Sequence, residues 1–224
     1  MKITSINNHA SILIESGDQN IYIDPVFQTF DRQNSINPAY FKEHPATVIL
    51  ISHNHWDHYD PVAINTIMTE NTEIICPASC DNILHDFEGR KIKGVKPGEK
   101  LSIANNEIEI LPSYNPEKQF HPKQNKWLGF LVTTEGKRLY FSGDTEYIPE
   151  MEQLKGNVDI AFLHVGGTYT MDFEQGIRAV KTIQPNIVVP IHLFGKNPKR
   201  FEKECKEENP KVEIYILENQ HWKL

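Results

Sequence analysis

Cysteine is scarce: Cys76, Cys80 and Cys205 are the only three in 224 residues. An odd, low count excludes a disulfide framework and suits reduced thiols in a cytoplasmic setting. Cys76 and Cys80 offer half of a thiolate metal site, but no second cysteine pair completes it, so all three read as packing residues. Positive charge is in deficit, with 23 Lys+Arg against 30 Asp+Glu and a net charge of −7. A chain of that sign is a poor general binder of phosphate backbones, and nucleic acid is not an expected partner. Long apolar runs are missing as well. The longest, such as residues 48–51, fall far short of the roughly 20 residues of a membrane span, so no membrane insertion is expected. The N-terminal stretch has neither an unbroken apolar run nor a small-residue cleavage site, and reads as a strand pair rather than a signal peptide.

What is present is an ordinary globular balance, 39% hydrophobic and 24% charged, which excludes a coiled coil, a collagen-like fibre and a wholly disordered chain. At about 150 residues per domain, one domain over 1–224 is expected. Short β-branched runs alternate with helical stretches. Residues 12–15 and 21–23 flank Ser16-Gly17-Asp18, a hairpin signal. Residues 47–51 form a continuous apolar run and read as a buried strand. Asp60-Pro61 offers a helix N-cap with proline at the first helical position. Further strands are expected at 73–76, 101–103, 108–111, 128–133, 138–141, 158–163, 187–190 and 212–217, and Asp172 with Gln175 resembles a capping box opening a helix to Ile183. The fold class is α/β. The segment 112–126 is a long polar loop, and such loops tend to carry function.

The informative stretch is His53-Asn54-His55-Trp56-Asp57-His58, between the buried strand and the helix at Asp60. It sets four potential ligands within six residues. Imidazole and carboxylate are the ligands that zinc and similar divalent ions take. His53 and His55 are two apart, so an extended backbone points both the same way. Asp57 and His58 follow the turn and face a second position.

This stretch reads HxHxDH and resembles the signature of the metallo-β-lactamase superfamily. Ile23-Asp24-Pro25, Ser142-Gly143-Asp144-Thr145 and Val189-Pro190-Ile191-His192 resemble the family's further strand-end motifs, in family order. The segment 164–172, His-Val-Gly-Gly-Thr-Tyr-Thr-Met-Asp, resembles one in the small stand-alone metal-dependent hydrolases of that family. That branch is similar to ascorbate-6-phosphate lactonase and, more distantly, to the phospholipase D acting on N-acyl phosphatidylethanolamine. The resemblance implies a four-layer αββα sandwich with metals at one edge of two sheets. It implies two divalent ions, zinc first, with manganese or iron as the other candidates. His53 and His55 would bind the first with a mid-chain histidine; Asp57, His58 and His192 would bind the second; Asp144 would bridge. The mid-chain role falls to His121, with Asn115 or water as the other completion. Asp24 is either a turn opener or a carboxylate that orients a metal-bound histidine from behind.

The chemistry this implies is hydrolysis of a small ester, lactone or phosphodiester by hydroxide held between two metals, with Asp57 as both ligand and proton acceptor. A small-molecule substrate is the expected partner. Two other classes stay in view. One is a non-catalytic metal-binding or sensing protein on the same fold. The other is a flavodiiron-type oxidoreductase, which His55 in place of a glutamate disfavours. Lys118, Lys123, Lys126, Lys196, Lys199 and Arg200 form either a solvated rim or an anion clamp. Trp56, Tyr114, Trp127, Tyr169 and Phe194 form either an apolar wall or core. His9 and His164 either face substrate or are hydrogen-bonded structural residues.

Overall fold

Two sheets of seven strands lie face to face in the computed structural model, which describes residues 1–28, 38–217 and 221–223. The first contains β1 (Lys2–Ser5), β2 (Ile12–Ser16), β3 (Gln19–Ile23), β4 (Val48–Leu50), β5 (Glu73–Pro77), β6 (Ile92–Val95) and β14 (His221–Lys223). Its order is β14-β1-β2-β3-β4-β5-β6. The second contains β7 (Lys100–Ile103), β8 (Asn106–Pro112), β9 (Leu128–Thr134), β10 (Lys137–Phe141), β11 (Ile160–His164), β12 (Ile187–Ile191) and β13 (Glu213–Ile214), in the order β13-β12-β11-β10-β9-β8-β7.

Alternation along the strands gives each sheet two apolar faces. Ile12, Ile14, Ile21, Ile23, Val48 and Leu50 from the first sheet meet Ile108, Ile110, Phe130, Phe141 and Phe162 from the second in one buried cluster. The opposite face of the first sheet is covered by α1 (Pro38–Lys42), α2 (Pro61–Ile67) and α3 (Asp81–Asp86), through Phe41, Ile64, Ile67 and Ile83. The opposite face of the second is covered by α4 (Phe173–Ile183) and α5 (Pro198–Glu208). Phe173, Ile177, Val180 and Ile183 recur at helical spacing and are buried there, with Phe201 and Cys205. The layers run αββα, as the resemblance implied.

Local signals read from the chain account for the helix starts. The Asp60 carboxylate accepts from the backbone N–H groups of Val62 and Ala63, with Pro61 at the first helical position. Asp172 accepts from the Gln175 N–H. Each such cap contributes about 1 kcal/mol. The closing strand is shorter than expected: of 212–217 only Glu213 and Ile214 pair with β12. β6 and α3 went unpredicted, because Ile92-Lys93-Gly94-Val95 has a glycine inside the run and α3 is only six residues long.

Parallel pairing decides where chemistry can sit. β3, β4, β5 and β6 are parallel neighbours, and so are β10, β11, β12 and β13. The carboxyl ends of each group open at one edge of its sheet, where ligands commonly bind in open α/β sheets. Among the described residues no helix is long and apolar enough to cross a membrane. All three cysteines are buried and unpaired. Burial pushes the Cys76 thiol up to about 12 and those of Cys80 and Cys205 up to about 11, so they behave as small apolar residues.

Candidate metal centre

Asp24 follows β3, the 53–58 segment follows β4, Asp144 follows β10, His164 ends β11 and His192 follows β12. The strand ends therefore deliver these side chains to one place. His121 comes from the loop between β8 and β9, which closes on itself through the Asn115 N–H donating to the His121 carbonyl at 2.8 Å. The backbone there is unusual. Of ten non-glycine residues with positive φ among those described, four lie in or against the cluster: Asp24, His121, His192 and Phe194. Such conformations persist where the surroundings over-determine them, often at functional sites.

Gly143 makes the Asp144 turn possible. It has φ of 63°, and a Cβ there would stand 2.6 Å from the Leu128 carbonyl and 2.7 Å from Ser113 Oγ. Gly166 has a similar role, since a Cβ would collide with the His192 carbonyl.

Four donor atoms converge on one point: His53 Nε2, His55 Nδ1, His121 Nε2 and Asp144 Oδ2. His53 to His55 is 3.0 Å, His55 to His121 3.2 Å, His121 to Asp144 3.2 Å and His53 to Asp144 4.0 Å. Four more converge beside it: Asp57 Oδ2, His58 Nε2, His192 Nε2 and Asp144 Oδ1. His58 to His192 is 3.2 Å, His58 to Asp144 3.4 Å, His192 to Asp144 3.5 Å, His192 to Asp57 3.5 Å and His58 to Asp57 3.7 Å. Ligands around a tetrahedral zinc with bonds of ~2.0–2.1 Å stand about 3.3 Å apart. Both sets match that spacing, and Asp144 gives one oxygen to each.

The residues behind the donors fix ring tautomers. Asp24 is fully buried. It accepts the Ser52 N–H at 2.6 Å and the Ser52 hydroxyl at 2.5 Å, and holds His58 Nδ1 at 2.7 Å. With Asp24 holding a proton on Nδ1, His58 turns Nε2 to the centre, where its lone pair would serve a cation once that atom gives up its own proton. Because the Ser52 hydroxyl donates to Asp24, it accepts from His53 Nδ1 at 2.9 Å, and His53 Nε2 is likewise a lone pair. Asp24 thus braces both rings, beyond any role as a turn opener. Asn115 Nδ2 donates to the Tyr169 carbonyl at 2.7 Å and lies 3.3 Å from His121 Nδ1, on the far side of that ring from the donor cluster.

Burial would lower the His58 imidazole, but Asp144 and Asp24 hold it well above its usual range, so a cation bound at Nε2 would displace a proton there. Burial would raise the Asp144 carboxyl, but His192, His58 and His121 hold it well below the usual carboxylate range. Asp57 is also held low against burial, by His192 and His9. Burial drives His53 and His164 well below the usual imidazole range, keeping them neutral. Gathered lone pairs and carboxylates of this kind suit a divalent cation. Asp144 Oδ1 and His164 Nε2 are buried atoms with no hydrogen-bond partner, a costly state that a cation beside them would relieve.

Two histidines left open by the sequence prove to be neighbours of the cluster. His9 Nε2 lies 3.3 Å from Asp57 Oδ2, its ring centroid is 3.9 Å from that of His192, and its carbonyl accepts the His192 N–H at 2.8 Å. Burial pulls its imidazole down to about 4. His164 bonds Ser142 Oγ through Nδ1 at 2.9 Å, and its Nε2 stands 3.9 Å from Asp144 Oδ1. Both are buried against the cluster, and that burial is not written in the local sequence.

Three comparisons bear on the chain once this geometry is known. A family model described as the beta-lactamase superfamily domain matches residues 19–193. A metal-dependent hydrolase of Archaeoglobus fulgidus is 29% identical over 231 residues, covering 97% of this chain and 96% of that one. One of Pelotomaculum thermopropionicum is 30% identical over 238 residues, with coverage of 97% and 96%. Among solved structures, a Parabacteroides distasonis protein described as a candidate metal-dependent hydrolase superposes with a TM-score of 0.82. It is 33% identical, over 97% of this chain and 93% of that one.

Proposed function

The chain belongs to the beta-lactamase superfamily domain family, and from that membership we infer a metal-dependent hydrolase formed by residues 1–224 as one domain. The observation that carries this reading is the pair of donor sets sharing Asp144. His53, His55, His121 and Asp144 would hold one divalent ion. Asp57, His58, His192 and Asp144 would hold the second. Zinc fits imidazole and carboxylate donors at this spacing. Such a pair of ions lowers the pKa of water toward neutrality and draws charge from a carbonyl or phosphoryl oxygen.

The chain's own residues do the rest. Asp57 accepts the proton of the attacking water and returns it to the leaving oxygen as the bond to that oxygen breaks. His9, 3.3 Å away, orients the Asp57 carboxylate. Asp24 and Ser52 keep His53 and His58 in the tautomers that face the centre. The substrate is a small ester, lactone or phosphodiester, and three unpaired thiols suit a cytoplasmic protein.

The test is a panel of 4-nitrophenyl esters, simple lactones and bis(4-nitrophenyl) phosphate on zinc-reconstituted protein, with and without chelator. Chelator-sensitive turnover of at least one class supports the reading. Full metal occupancy with no turnover of any class would favour a metal-binding or sensing protein.

A further inference from the structure

Large apolar side chains exposed to water are few among the described residues: Trp56 (61% exposed), Phe120 (49%), Phe194 (44%) and Val62. Three of the four line one cleft of about 310 Å³, whose floor holds His55, Asp57, His121 and Asp144. Isolated exposed hydrophobics need no explanation, but a cluster rimming a cavity marks a binding surface. Tyr169 joins the wall: its ring centroid is 4.8 Å from that of Phe120 and 5.6 Å from that of Phe194, which in turn stands edge-on to His192 at 4.7 Å. The aromatic wall therefore runs without a break to the candidate metal centre.

Among the described residues, the cleft has no lysine or arginine in its lining. Nearby cations are committed elsewhere. Lys118 Nζ donates to the Gly167 and Thr170 carbonyls at 2.7 and 2.5 Å and pairs with Glu146 at 3.4 Å. Lys123 is held by Tyr114 and Glu150. Lys196 lies 5.2 Å over the Phe173 ring and borders a separate cavity with Arg200 and Glu204. An anionic substrate would find no counter-charge from the described residues at this wall. A neutral one with an apolar tail would cover the rings. The volume lies at the small end of the ~300–1,000 Å³ usual for ligand sites.

Resting on the hydrolase reading, we propose that this cleft selects an uncharged carboxylic ester or lactone with a medium-length apolar acyl group, seated on Trp56, Phe120 and Phe194. A phosphodiester is disfavoured by the same wall. In hydrolysis, the water oxygen bonds to the acyl carbon, the bond to the alcohol oxygen breaks, one water proton moves by way of Asp57 to that oxygen, and the second passes to solvent. An apolar carboxylate and an alcohol leave, joined in one hydroxy acid when the substrate is a lactone.

Binding and turnover separate this proposal from the reading beneath it. Straight-chain hydroxamates from two to eight carbons, titrated calorimetrically into the zinc-loaded protein, should tighten by about threefold to fourfold per added methylene until the cleft is full. Trp56→Ala and Phe120→Ala, both at exposed positions, should flatten that series. Val62→Ala, at an exposed apolar side chain away from the cleft, should leave it unchanged. The 4-nitrophenyl esters should show the same rise in kcat/KM from acetate to octanoate and exceed bis(4-nitrophenyl) phosphate. A flat series in the wild type, an unchanged slope in both alanine variants, or preference for the phosphodiester would overturn the proposal. Chain-length-dependent hydroxamate binding without turnover of any ester would leave the apolar site standing and sink the hydrolase reading instead.

Discussion

His121 Nε2 stands 3.2 Å from Asp144 Oδ2, although His121 sits in a loop and Asp144 at the end of a central strand of the second sheet. The loop reaches that position because Asn115 closes it and the Ser113 N–H donates to the Trp127 carbonyl at 3.0 Å. His121→Ala should therefore take metal content from about two ions per chain toward one. The check is elemental analysis after zinc loading and desalting. Two retained ions with unchanged activity would remove His121 from the centre.

Asp24 is tested by a change that keeps its backbone. Its φ is 46°, a conformation asparagine tolerates best among ordinary side chains. Asp24→Asn should fold, but loses the charge that braces His58 and the Ser52 hydroxyl. Loss of such a supporting partner typically costs about 10–100-fold in metal affinity or activity. A competition titration with a zinc chelator measures it, and an affinity within twofold of wild type would reduce Asp24 to a turn residue.

How much of this was legible beforehand depends on locality. The 53–58 segment, Asp24, Asp144 and His192 each follow a short apolar strand, so sequence neighbours announce them. His121 has no such signpost; only the closed loop brings it in. The aromatics divide in a way composition cannot foresee. Tyr114 is buried and bonds Glu150, and Trp127 lies tilted against His53 with ring centroids 4.7 Å apart, while Trp56, Tyr169 and Phe194 form the wall with Phe120, which the sequence did not single out. Of the rim cations, Lys118 and Lys123 are tied to the chain itself rather than clamping an anion.

His164 separates structural from metal-directed roles. Ser142 Oγ donates to the Gly143 carbonyl and accepts the His164 N–H, so it stays satisfied without the imidazole. His164→Leu removes a buried nitrogen that has no partner. The metal-free variant should melt within a few degrees of the metal-free wild type. The rise in Tm on adding zinc should shrink, since ligand-induced stabilisation follows affinity by mass action, about 1.4 kcal/mol per tenfold. An undiminished rise would make His164 purely structural.

Asp57→Asn keeps the side chain's size and one oxygen but removes its charge and basicity. Loss of general-base assistance typically costs about 10²–10⁴-fold in rate. The variant should stay folded, keep part of its zinc and lose at least that lower factor in kcat on any substrate found. Near-native turnover would take Asp57 out of the proton-transfer role.

The most direct test of the two-ion centre is an anomalous difference map from crystals of the zinc-reconstituted protein. Two peaks are expected, about 3.5–4 Å apart. One should lie within bonding distance of His53 Nε2, His55 Nδ1, His121 Nε2 and Asp144 Oδ2, the other of Asp57 Oδ2, His58 Nε2, His192 Nε2 and Asp144 Oδ1. A single peak at full reconstitution, or peaks away from these eight atoms, would contradict the shared-carboxylate centre on which the functional reading rests.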